Sequence, residues 1–271
     1  LIATRQWLEG AQLYVDVIEV NPPLNFYYTL PAILLANLSG LTDTNAQYVV
    51  LAVLLTVSLF WSWCIIERNV DLSLLRRGLL LIAIAAAITL PAIFTIGQRE
   101  HIMCLLILPW ITGLITMEGA DQGWGGAGRG AYAALGICLK PFFLVFPLFV
   151  VIWMVLKSKS LKQVFSAAYL AMGGVGLIYI ALAAMIHPEY FTKIIPLAQT
   201  VYGDYDITLA MMLSRLDRSL ISFALLLIIL GWVYRKQLKS LPIFMSLILA
   251  SLASYFLQWT SFWYHSLPLY I

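Results

Sequence analysis

Apolar residues run along this chain in stretches near twenty residues long, broken by short clusters of charge. A helix needs about twenty apolar residues to cross roughly 30 Å of hydrocarbon, and the pattern predicts spans at roughly 46–66, 78–96, 102–117, 131–156, 164–186, 219–234 and 241–257. Barrel strands would alternate apolar and polar residues over about ten positions, and these stretches do not alternate. The expected fold is an all-α polytopic membrane protein of about seven spans, with two irregularities.

The first irregularity lies in 131–156. Its middle reads Leu139-Lys140-Pro141-Phe142, a charge followed by a helix breaker, with Pro147 beyond. Proline removes an amide donor and clashes with the preceding turn, so two half-helices meeting at Lys140 are expected. The second is 26–41, an apolar stretch with a Tyr pair suited to the headgroup level. Spanning there would turn the Arg-rich loops outward, so we read it as a juxtamembrane helix in the interface.

Cations sort the loops. Arg68, Arg76 and Arg77 follow the first span and Arg129 the third. Lys157, Lys159 and Lys162 follow the fourth, and Arg235, Lys236 and Lys239 the sixth. All can be cytoplasmic together if the chain starts outside. Three parts result: an extracytoplasmic loop with its juxtamembrane helix (1–45), a transmembrane domain (46–257) and an extracytoplasmic aromatic segment (258–271). The Gly-rich stretch Gly123–Gly130 reads as a flexible cytoplasmic linker, and 187–218 as the longest outer loop.

Composition agrees. Hydrophobic residues make up 62% of the 271 and charged ones 11%, against roughly 25% charged in ordinary globular domains; mean hydropathy is +0.91. A net charge of +3 gives no reason to invoke nucleic acid. Cys64, Cys104 and Cys138 each lie inside an apolar stretch without ligand-like spacing, so neither a disulfide framework nor a divalent metal site is indicated. Leu1 follows no signal-like stretch and Ile271 closes an aromatic segment, so we expect the natural protein to extend beyond both.

Ionisable residues outside the basic loops gather on one face of this layout. Asp16 and Glu19 precede Asn21-Pro22-Pro23-Leu24, where the prolines stiffen the backbone and bias Asn21 toward an extended form. They are either aimed carboxylates or solvated loop acids. Gly97-Gln98-Arg99-Glu100-His101 puts four polar residues between two spans with almost no loop to dilute them. Charges at that depth pair or face a cavity; alternatively Arg99 snorkels to lipid phosphate and Glu100 pairs with it. Lys140 is the one cation deep within an apolar stretch, so it must meet an anion, either a phosphate or one of these acids. Most of His187, Asp204, Asp206, Arg215, Asp217 and Arg218 read as solvated loop charges. His265, in Trp259-Thr-Ser-Phe-Trp-Tyr-His265, fits sugar stacking or a plain aromatic belt.

Taken together, Glu9-Gly10-Ala-x-Leu-Tyr14-x-Asp16-x-x-Glu19-x-Asn21-Pro22-Pro23-Leu24, Gly97-Gln-Arg99-Glu100-His101 and Leu139-Lys140-Pro141 resemble the motifs of the GT-C superfamily of integral-membrane glycosyltransferases, of the protein-mannosyltransferase and aminoarabinose-transferase type. The resemblance spans most of the chain in layout, but its specific motifs amount to about twenty residues. Glu100 stands where the family more often has Asp, and Asn21 where some members carry a Lys. The resemblance implies inverting transfer of a sugar from a polyprenyl-phosphate carrier to a glycan or lipid acceptor, on the extracytoplasmic face of a bacterial inner membrane. It implies acid chemistry at Asp16, Glu19 and Glu100, and substrate contacts at Asn21, Arg99, His101, Lys140 and His265. It also implies a principal catalytic acid just ahead of Leu1. Rival expectations are a transporter or lipid flippase, which would carry an internal repeat and ionisable groups on both sides of the midplane, and a non-catalytic membrane subunit.

Overall fold

The computed structural model describes residues 1–116, 123–203, 207–216, 218–234, 240–260 and 262–271. Asp204, Asp206, Asp217, Arg235, Lys236 and Lys239 lie outside them. The described residues form helices throughout and no strand, with a single bridge between Leu13 and Val17.

The chain opens with α1 (Ile2–Leu8), a short loop, and α2 (Pro23–Ser39). Pro23 suits the start of α2, where its missing amide costs nothing, and Gly40 ends it in the left-handed conformation at φ 74°. The long helix α3 (Asp43–Asn69) starts at Thr42, whose side chain caps the Asn45 amide. Arg5 of α1 bridges Asp43 and donates from Nη1 to Asn37 Oδ1 at 3.2 Å, tying the first loop to α2 and α3. At its far end α3 turns into α4 (Leu74–Thr89). That turn is braced by Arg77, which pairs with Glu67 at 2.7 Å and lies over the Trp63 ring.

Next come α5 (Arg99–Thr116), α6 (Gly123–Ile137), a 3-10 turn at Pro141–Leu144 and α7 (Val145–Ser158). The helices α8 (Ala167–Ile186), α9 (Ile195–Gly203), α10 (Leu209–Arg215), α11 (Arg218–Val233), α12 (Leu241–Leu257) and α13 (Leu267–Tyr270) complete the order. A π-turn at Tyr190–Ile194 joins α8 to α9, and a 3-10 turn at Trp263–Ser266 precedes α13.

Four segments are long and apolar enough to cross a membrane: Asp43–Asn69, Arg99–Thr116, Pro141–Ser158 and Ala167–Ile186. The predicted spans 78–96, 219–234 and 241–257 appear as the shorter α4, α11 and α12, of 16, 16 and 17 residues. The first of these stops at Thr89 because Pro91 follows and the chain enters turns up to Gly97. On α8, Leu177 and Met185 are 72% and 79% exposed. Apolar surface of this extent belongs in lipid; this is a helical membrane protein.

Inside a bilayer apolar contact alone does little to drive helices together, so close packing by small residues takes over. The central helix α5 has buried Ile102, Leu106 and Trp110, and packs against α3 and α6; α6 packs in turn on α8, and α7 on α12. A methyl group on Gly130 would lie 2.1 Å from the Ala168 carbonyl oxygen, and one on Gly136 3.1 Å from Met103 Cα. These contacts correct the expectation of a flexible linker at Gly123–Gly130. The stretch is the first half of α6, in which Gly128 faces the Trp61 ring of α3 and Gly130 the Ala168 backbone of α8. Arg129 is likewise no loop cation: it is buried in α6, and its guanidinium fills the room left by Gly113. The expected outer loop 187–218 is also largely helical where described, as the π-turn, α9 and α10.

Candidate functional site

Two breaks in helix geometry build the site. Gly97, at φ 84°, turns the chain into α5, so that Arg99 and Glu100 occupy the helix's first turn, where its dipole favours an acid. The second break is the predicted one. Helix α6 ends at Ile137 and Pro141 forces its predecessor out of the helical region, leaving Lys140 extended at φ −157°, ψ 132°.

The two breaks meet. Lys140 Nζ donates to Glu100 Oε1 at 2.9 Å and to His265 Nε2 at 3.1 Å. An ammonium group has no lone pair to offer, so His265 accepts at Nε2, carries its proton at Nδ1 and donates to Thr260 Oγ1 at 3.1 Å. Tyr264 and Phe262 pack edge-on against the imidazole. Burial, then the charges of Lys140 and Arg99, hold the His265 pKa down to about 2, so the ring stays neutral. Glu100 is fully buried, and its second oxygen, Oε2, has no partner among the described residues. Next to it, His101 Nδ1 accepts from the Gly97 amide at 3.3 Å, which puts the proton on Nε2, also buried without a partner.

A second cluster adjoins this network. Tyr14 is fully buried with φ 68°, a left-handed conformation uncommon outside glycine. Its hydroxyl donates to the Asn21 carbonyl at 2.7 Å, and its ring packs against Phe26, His187 and Tyr190. Trp7 and Tyr27 complete a box around His187, whose Nε2 is 3.1 Å from the Tyr27 hydroxyl. Burial lowers the His187 pKa, against a smaller upward pull from Glu189. Arg99 links the clusters electrostatically, its charge acting on Tyr190 as well as on Lys140 and His265.

Of Glu19, Glu100 and Lys140, which the sequence layout puts on one face, the structure joins only the last two. Glu19 accepts from Asn21 Nδ2 at 2.8 Å, and no hydrogen bond joins it to the buried pair among the described residues. The cause is local: Tyr14 holds the Asn21 carbonyl while the Asn21 amide group holds Glu19, so this acid stays with its own loop. Asp16 is exposed and accepts the Gln12 amide at 2.7 Å, closing a small turn. Thr260, Tyr14, His187 and Tyr190 were not singled out as ligand contacts by sequence reasoning. Residues 1–45 are about as rich in Trp and Tyr as the whole chain, so composition gave no signal for the box, and a lone Thr five residues before His265 gave none either. Among the described residues no three His, Cys, Asp or Glu side chains gather as a metal ion would need.

Compared with protein-family models, curated proteins and solved structures, the chain matches none.

Proposed function

We propose that this protein is an inverting membrane glycosyltransferase, moving a sugar from a polyprenyl-phosphate carrier to a glycan or lipid acceptor on the extracytoplasmic side. The observation that carries the reading is the Glu100 carboxylate. It is fully buried, neutralised at one oxygen by Lys140 and, among the described residues, left with an unpartnered acceptor at the other. Carboxylates are rarely brought to such a place unless something binds there.

In this reading Glu100 Oε2 accepts a hydroxyl of the substrate and fixes its orientation. Lys140 has three N–H donors, of which Glu100 and His265 take two. The third, together with Arg99, supports the carrier phosphate as it leaves. The acceptor oxygen gives its proton to a carboxylate and attacks the anomeric carbon; the bond from that carbon to the phosphate oxygen breaks, and its electron pair stays on the phosphate. General-base assistance of this kind contributes about 10²–10⁴-fold. His265, kept neutral and tethered to Thr260, positions the Lys140 ammonium. Asp16 and Glu19 belong to the bracket that borders the site rather than to its buried centre.

The test is incubation of full-length protein with radiolabelled polyprenyl-phosphate sugars, following release of lipid phosphate. Wild type should turn over at least one of them, and Glu100→Gln should be inactive while remaining folded by size-exclusion chromatography. Turnover by Glu100→Gln at the wild-type rate, or none by wild type on any carrier sugar, refutes the reading.

A further inference from the structure

A cavity of about 660 Å³ opens beside the buried network, with Arg215, Tyr255, Phe262, Trp263, Ser266 and Tyr270 among its walls. That size falls within the range of small-molecule sites. Trp263 and Ser266 flank His265 in one 3-10 turn, so the cavity and the Glu100–Lys140–His265 network are built on the same few residues. Tyr255 spends its hydroxyl on the Met212 carbonyl and therefore offers the cavity its ring. Trp263 is 58% exposed and contributes little to the core.

We propose that this cavity is a seat for a sugar ring. Half of its eight lining residues are aromatic, the others being Pro91, Leu267, Ser266 and Arg215. An isoprenoid chain would be met by branched aliphatic walls, whereas a pyranose has a C–H face and a hydroxyl edge. Aromatic faces are electron-rich and attract the polarised C–H face, while Ser266, whose proton goes to the Trp263 carbonyl at 2.6 Å, still has lone pairs to accept from the hydroxyl edge. The inference rests on the transferase reading only for the source of the sugar, which is either the carrier-linked donor or the acceptor glycan.

Binding can be read without turnover. Wild type and the Trp263→Ala and Trp263→Phe variants, all full-length in detergent, are titrated by intrinsic fluorescence and by equilibrium binding of radiolabelled probes. One arm uses polyprenyl-phosphate hexoses and pentoses, a second uses methyl pyranosides, and a third uses bare polyprenyl phosphate. We expect Trp263→Ala to weaken sugar-bearing probes roughly tenfold, Trp263→Phe to retain most of the affinity, and bare polyprenyl phosphate to bind all three proteins alike. Loss confined to the first arm makes this the donor's seat; loss confined to the second makes it the acceptor's. Equal affinity of wild type and Trp263→Ala for every sugar overturns the proposal, as does equal weakening of bare polyprenyl phosphate. If wild type and Trp263→Ala transfer sugar equally well, the seat is refuted while the transferase reading stands. If wild type binds sugars through Trp263 and transfers none, the reverse holds.

Discussion

Lys140 Nζ and Glu100 Oε1 lie 2.9 Å apart although forty residues separate them in the chain, and both side chains are almost sealed from solvent. Removing one member of a buried pair strands the other and costs about 3–5 kcal/mol, whereas replacing both together is much milder. Lys140→Met should therefore lower the detergent melting temperature sharply, as should Glu100→Ala. The double variant should recover most of that loss. A double variant as unstable as the sum of the two would show that the groups do not interact.

Stability should fall on mild acidification. Folded His265 and His187 both have lowered pKa values, chiefly through burial. Below the usual histidine pKa of about 6.5, the unfolded chain binds protons that the folded one refuses. This contribution is thus fully present above about pH 6.5 and is lost as pH drops, by up to about 1.4 kcal/mol per unit for each ring. Melting temperatures between pH 7.5 and 5 should show this decline, with a shallower slope for His265→Gln.

The two glycines Gly130 and Gly78 should respond in opposite directions to alanine. At Gly130 the added methyl would meet the Ala168 carbonyl oxygen at 2.1 Å, a backbone atom that no side-chain rotation can clear. Overpacking costs typically ~1–3 kcal/mol, and Gly130→Ala should reach the upper end. Gly78 lies in α4 with open space around its Cα. There alanine should be neutral or stabilising, by up to about 1 kcal/mol. Thermal melts of the two variants decide the comparison.

Tyr14→Phe keeps the buried ring but removes the hydrogen bond to the Asn21 carbonyl. The expected cost is about 1 kcal/mol, felt mainly as loosening of the first loop. Limited proteolysis should cut within residues 8–22 faster than in wild type, with cleavage elsewhere unchanged.

The break at Lys140-Pro141 was legible because proline's effect on its own and the preceding residue is local, and local rules survive folding. That Lys140 needs an anion was legible from its depth in an apolar stretch; which anion was not, because Glu100 approaches from another helix. The polar interruption at Gly97–His101 marked the site for the same reason. What misled was Gly123–Gly130. Eight residues with five glycines suggest a linker by propensity, yet in a bilayer the absence of side chains is what permits close helix contact. Glu19 misled through sequence distance: Pro22-Pro23 shows that the loop is stiff, but the direction of its acid depends on Tyr14 and Asn21.

Arg5 reaches across to Asp43 and Asn37 from a partly open position, while the other anchor of the same loop, the Tyr14 box, is dry. Mobile ions weaken the first kind of attachment and barely touch the second. Raising ionic strength should therefore loosen the Arg5 strap alone, while Thr4, Trp7 and Tyr14 keep α1 and the rest of the loop docked.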